Sequence, residues 1–204
     1  IVQVAMDGQA TPGNQWVAPT NSYYSKNVPM PKRDLARARA LLKEAGVTNP
    51  TFTLMTPTTS DAQKIAQVVQ AMAKEAGFNI KIQSTEFATS LSLADKGDFD
   101  AYVLSWSGRA DPDGNLFNFI GCKQPNNYSG YCVPEVDALL NDSRSKLQPA
   151  ERLAAYQAIA AQMNKDRPLV YLYHRDWLWA YSTKLSGIRE VPDGLLRVTG
   201  LKLN

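Results

Sequence analysis

The chain has 204 residues, 44% of them hydrophobic, which is ample for a core in one large domain or two small ones. Its 22 basic and 19 acidic residues are interspersed, so the formal charge of +3 forms no basic stripe of the kind nucleic acid needs, and a polyanion partner is not expected. No apolar run approaches the roughly 20 residues of a membrane span, and the opening "IVQVAMDGQA" lacks a charged n-region followed by an apolar h-region, so no export signal is expected within this chain.

Residues 1–31 are rich in Pro, Gly, Asn and Gln and show no sustained period, which reads as an extended, surface-hugging coil. Beyond it, Leu35, Ala38, Leu42 and Ala45 recur at helical spacing and Gly46 follows where a helix stop belongs. "FTLMT" at 52–56 alternates as a strand. Ser60 is then placed to cap a helix with Ile65, Val68, Val69 and Met72 on its apolar face and Gly77 at its end. "FNIKIQS" predicts a second strand with Ile80 and Ile82 on one face, a short helix over 88–96 follows, and "FDAYVLSW" predicts a third strand. This β, α, β, α, β order predicts an α/β fold whose sheet has helical crossovers, with at least two strands parallel.

In the second half, Pro134 opens a helix bearing Val136, Leu139 and Leu140, and Pro149 opens another bearing Leu153, Tyr156, Ile159, Ala160 and Met163. "PLVYLYHR" and "WLWAYST" read as consecutive strands, and "LLRVTGLKLN" as a last one. The only two cysteines, Cys122 and Cys132, bracket the short polar loop "KQPNNYSGY". That spacing favours a disulfide, and with it an oxidising compartment, over two reduced thiols.

Enzyme chemistry finds little support. The single histidine, His174, stands inside an apolar strand pattern as a structural residue rather than the base of a nucleophilic triad. No glycine-rich phosphate loop is present, and no cofactor is expected. Asp111, Asp113 and Asn115 alternate like calcium ligands. Counted from Asp111, however, the glycine falls at position 4 and position 12 is Cys122, so no metal site is expected. The turn around Pro112 suggests instead that both carboxylates cap backbone amides, with ligand contact as the alternative. Trp106 and Arg109 lie at the C-terminal end of the third strand, where open α/β sheets hold ligands; the alternative is an indole covering the core beside a solvated guanidinium.

Together, "DLARARALLKEAG", "FTLMT" with its long helix, "FDAYVLSWSGRADPDGN" and "NNYSGYCVPEVDALL" followed by "PAERLAAYQAIAAQM" resemble the peptide, opine and nickel class of substrate-binding proteins of ABC importers. The resemblance implies a periplasmic-binding-protein-like lobe with a mixed sheet: a C-terminal lobe over 1–193, and a tail over 194–204 that returns toward an N-terminal lobe outside this chain. It also implies a periplasmic or cell-surface receptor, not an enzyme, that passes a small-molecule or peptide solute to a membrane permease. Trp106, Gly108, Arg109 and Asp111, with Asn127, Tyr128 and Ser129 on the cysteine loop, correspond to the ligand-contacting segments. Peptide-binding members of the class place an aspartate just after the glycine, to pair with an α-amino group. Here Arg109 stands there, which points to an anionic group on the solute, unless Asp111 takes up part of the acidic role through a different loop fold. Two rivals are a protein-interaction module using the exposed cleft face and a hydrolase whose nucleophile the sequence does not reveal.

Overall fold

A computed structural model describes residues 1–191 and 193–204. At its centre is a three-stranded, all-parallel sheet: β2 (Thr51–Pro57) pairs with β3 (Asn79–Thr85) on one side and with β4 (Ala101–Tyr102) on the other. The preceding elements are α1 (Val2–Ala5), β1 (Ala10–Pro12) and α2 (Leu35–Glu44). The crossovers are α3 (Ser60–Ala76) and α4 (Phe87–Lys96). Three further helices follow, α5 (Asp113–Ile120), α6 (Pro134–Ser145) and α7 (Pro149–Asp166).

The central helices start and stop where their local chemistry dictates. Thr59, one residue before the expected Ser60, accepts the Ala62 N–H as the cap of α3, and Gly77 ends that helix at φ 104°, a left-handed conformation open to glycine at little cost. The sheet packs its inner face, Leu54 and Ile80, on Ala66 of α3. Each of these buried groups contributes by removing apolar area from water.

Antiparallel pairing is confined to two small sheets. β5 (Tyr173–Arg175) pairs with β1, and β6 (Leu185–Ser186) pairs with β7 (Lys202–Leu203). The long strands expected over 168–175 and 177–183 are therefore corrected to the three residues of β5 and to irregular chain. Alternation marks residues suited to a half-buried strand but does not supply the neighbour that a ladder needs. Trp177, Leu178, Trp179 and Tyr181 are all exposed.

The third strand is also shorter than expected. The Val103 N–H still donates to the Met55 carbonyl at 2.9 Å. In this parallel register the next ladder bond would need an N–H from Pro57, which has none, so the chain from 103 to 106 leaves the sheet.

Residues 1–31 are not a surface coil. Beyond α1 and β1, the irregular stretch 14–28 buries Gln15, Trp16, Val17, Ser25 and Val28. Gln15 and Ser25 satisfy each other reciprocally: the Gln15 side chain donates to the Ser25 carbonyl at 2.9 Å and accepts the Ser25 N–H at 3.0 Å. This staple lets non-repetitive backbone enter a core, because its polar groups find partners there. The core it joins is separate from the sheet's and contains Leu116, Ile120, Val136, Leu140, Tyr156, Ile159 and Met163. The helices α5 to α7 and the 14–28 stretch thus form a body beside the sheet, and the segment 103–112 is one of the chain crossings between them.

Candidate functional site

The order β3-β2-β4 places the carboxyl ends of β2 and β4 side by side, the position at which open α/β sheets take ligands. The segment leaving β4 carries Trp106, Gly108, Arg109 and Asp111, and its shape is set by Asn115 in the first turn of α5. Asn115 is buried. Its Oδ1 accepts both the Trp106 indole N–H at 3.2 Å and the Arg109 backbone N–H at 2.6 Å, while its Nδ2 donates to the Arg109 carbonyl at 2.8 Å. One amide side chain thereby fixes two candidate residues at once.

Gly108 takes φ 83°, and a Cβ at Gly114 would lie 2.8 Å from the Arg109 Cγ, so the arginine stem lies flat on the start of α5. The Arg109 guanidinium sits 4.7 Å from the Trp106 ring centroid, and that ring in turn packs edge-on against Phe119 at 5.1 Å. Nη1 of Arg109 donates to the Ser107 hydroxyl and to the Gly108 carbonyl. Its Nε and Nη2 carry no hydrogen bond among the described residues; the nearby carboxyl of Asp193, held below its ordinary range chiefly by the Leu195 N–H, also feels the Arg109 charge. Trp106 and Arg109 are both exposed.

Asp111 is engaged elsewhere. It takes a two-pronged pair from Arg152 of α7, at 2.8 and 3.0 Å, and its Oδ1 also accepts the Asp113 N–H at 2.9 Å. The Arg152 hydrogen bond holds its carboxyl below the usual carboxylate range. Asp113 lies 3.2 Å from Arg144 of α6. Both aspartates of the "DPD" turn therefore face helices of the second body.

Asn127, Tyr128 and Ser129 form a second group. Asn127 donates to the carbonyls of Gly121 and Tyr131 at 2.8 and 2.6 Å, bracing the loop across its base, and its own oxygen accepts the Ser129 hydroxyl. The Tyr128 hydroxyl donates to Asp95 of α4 at 3.1 Å; burial, and then that carboxylate, push the phenol up from its ordinary value. Among the described residues no hydrogen bond joins this group to Trp106 or Arg109. Asn127 and Ser129 are occupied in holding the loop, and Tyr128, half-buried, reaches across to α4.

Cys122 and Cys132 are bonded, with Cα atoms 4.6 Å apart. Closing a loop of this size should contribute about 2–3 kcal/mol, chiefly by constraining the unfolded chain. Denatured, unreduced protein is expected to show no titratable thiol, and reduction should lower the urea midpoint accordingly. Two free thiols would remove both the bridge and its argument for an oxidising compartment.

His174 sits on β5 opposite Thr11 of β1. Its ring bonds the Gln15 backbone, Nε2 has no partner, and burial draws its pKa below the ordinary value. Among the described residues no three His, Cys, Asp or Glu side chains gather at metal-holding distance.

The signal for Asn115 was present in the sequence. Asp113 followed by Leu116, Phe119 and Ile120 has helical spacing, and a helix starting there places residue 115 in its first turn, facing back along the incoming chain.

A parallel α/β sheet with an aromatic and a cation presented at its strand ends is an arrangement at which open α/β proteins take ligands. Comparison with known proteins makes this specific. Residues 1–127 match the family of bacterial extracellular solute-binding proteins, family 5 (middle region), and the chain belongs to that family. Among curated relatives, di/tripeptide-binding protein 4 of Pseudomonas aeruginosa is 31% identical over 174 residues, covering 81% of this chain and 33% of the relative. Among solved structures, the periplasmic binding protein DppA of Helicobacter pylori in complex with the peptide STSA superposes with a TM-score of 0.80 at 25% identity, covering 97% of this chain and 40% of that one. AppA of Bacillus subtilis in complex with a nonapeptide shares the fold, with a TM-score of 0.82 at 23% identity over all of this chain and 44% of that one. The chain spans about a third of the length of the curated relatives it matches. The family so matched is one of extracellular solute-binding proteins.

Proposed function

We propose that this chain is the C-terminal lobe, residues 1–193 with a returning tail at 194–204, of a periplasmic or cell-surface receptor. The receptor captures a small peptide-like or opine-like solute bearing an anionic group and delivers it to the permease of an ABC importer. The observation that carries the anionic preference is Arg109, braced by Asn115 and Trp106, with no hydrogen bond on its Nε or Nη2 among the described residues, beside the carboxyl ends of the sheet. A guanidinium repels an ammonium and makes paired, planar hydrogen bonds with a carboxylate or phosphate. Trp106 and Tyr128 supply apolar walls, and Asp111, spent on Arg152, braces the loop rather than meeting the solute.

The second lobe would close over this surface about a hinge, as two-lobed binders do. The exposed Trp177, Leu178, Trp179 and Tyr181, with Leu195, Leu196 and Val198, support that assignment, since a row of apolar side chains this size favours cover by more protein. Those residues are also what a protein-interaction module would show, and a stable protein complex formed without solute would favour that reading.

The test is direct. Solute released on denaturing the two-lobe protein, identified by mass spectrometry, is expected to carry a carboxylate or phosphate. Calorimetry should show this chain alone binding the same solute weakly or not at all, because one lobe cannot enclose the 70–90% of a ligand's surface that pockets typically bury. A cationic solute, or equal affinity of the single lobe, would overturn the assignment.

A further inference from the structure

We infer that Arg152 is a positioning residue that keeps the Trp106–Asp111 loop in its ligand-ready shape before any solute arrives. The inference rests on the reading of that loop as the binding site and adds how its shape is held. The loop leaves the sheet at Val103 and has no ladder partner beyond it, so something else must fix it. Asn115 fixes the middle of the loop from within the following helix. Only the Asp111 end reaches across to α7, and there it meets Arg152.

Arg152 is built for that task. Its side chain is only 18% exposed, and it is locked by contacts that do not involve the loop. Nε donates to the Ser143 carbonyl at the end of α6, Nη2 donates to the Tyr156 hydroxyl, and the guanidinium lies over the rings of Tyr23 and Tyr156. A planar fork already immobilised in this way loses little further freedom when it grips Asp111, so its two bonds tether the loop firmly. Asp111, by contrast, is 56% exposed, and an asparagine there keeps an oxygen for the Asp113 N–H, so Asp111→Asn cuts the Arg152 pair while leaving that turn bond available.

The reporter is the Arg109 backbone N–H, which exists as a protected donor only while the loop keeps its shape around Asn115. In the two-lobe protein, Asp111→Asn is expected to speed exchange of the Arg109 amide about tenfold. Amides of Leu140 and Ile159, in the core of the helical body, should be unchanged, because the loop opens locally without unfolding what lies beneath. Asp111→Glu, which keeps the charge, should restore most of the protection, and Arg152→Lys, which loses the fork, only part of it. Binding of N-acetyl-trialanine, an anionic peptide without an ammonium, should weaken in step with the loss of protection. An Arg109 amide within twofold of the parent in Asp111→Asn would overturn the inference, as would a uniform rise across Leu140 and Ile159, since Arg152 would then be an ordinary structural residue. Failure of the site assignment looks different: the protection changes appear as expected, but N-acetyl-trialanine binds the parent and Arg109→Ala equally or not at all.

Discussion

Arg109→Ala in the two-lobe protein is expected to weaken binding of the anionic solute proposed for it about a hundredfold or more, by the rule that 1.4 kcal/mol is tenfold. The magnitude follows from enclosure. In an open lobe this guanidinium is solvated and worth little. Inside a closed cleft the pair is desolvated, and truncating one partner leaves the other charge buried and alone, a loss of several kcal/mol. The proposed anchor is already partly ordered: its guanidinium lies 4.7 Å from the Trp106 ring centroid, and Nη1 is committed to the Ser107 hydroxyl and Gly108 carbonyl. Arg109→Lys should recover only part of the affinity, keeping the charge but not the fork. Calorimetry with the recovered solute decides the matter. An affinity within about threefold of the parent, less than 1 kcal/mol, would place the anchor elsewhere. Asp111 would not be the substitute, because Arg152 and the Asp113 amide already use both its oxygens.

The parts of the fold that could be read from sequence are those whose causes are local. β2, α3, β3 and α4 announce themselves by period and, for α3, by the stop at Gly77, and each lies within a residue or two of its expected bounds. Strand length was harder, because it belongs to the partner as much as to the strand. Nothing in "AYVLSW" says that Pro57, more than forty positions earlier, will fail to donate to it. Residues 177–183 show the same limit, having strand-like alternation without a described strand beside them.

The candidate site divides along the same line. Trp106 and Arg109 could be singled out because residue type and strand-end position are both visible in a sequence. What shapes them was less visible: helical spacing marks a first turn at Asn115, but the three hydrogen bonds through which it acts exist only once α5 has formed, and Arg152 reaches Asp111 from 41 positions away. The capping reading of Asp111 and Asp113 captured the turn, since the Asp113 N–H does donate to Asp111, but not the two arginines that face the carboxylates from α6 and α7.

The stretch 14–28 gives the sharpest stability expectation. Its sequence has no period, yet Trp16 and Tyr23 are held against a single side chain, Tyr156, with ring centroids 6.1 and 5.4 Å away. Tyr156 is 1% exposed and also touches Arg152 through its hydroxyl, so it joins the irregular segment, the helical core and the loop tether. Tyr156→Ala should cost about 3–5 kcal/mol, the range for deleting a buried aromatic ring and leaving a cavity. That is a large share of the roughly 5–15 kcal/mol by which a domain is stable. Tyr156→Phe keeps the ring contacts and removes only the hydroxyl, so it should cost about 0.5–1.5 kcal/mol. Urea unfolding followed by tryptophan emission measures both, and the alanine variant should also shift emission to the red before the main transition as Trp16 meets water. If Tyr156→Ala loses less than about 1 kcal/mol, the aromatic cluster is not what holds residues 14–28 in place, and the reciprocal Gln15–Ser25 bonds would have to carry that segment by themselves.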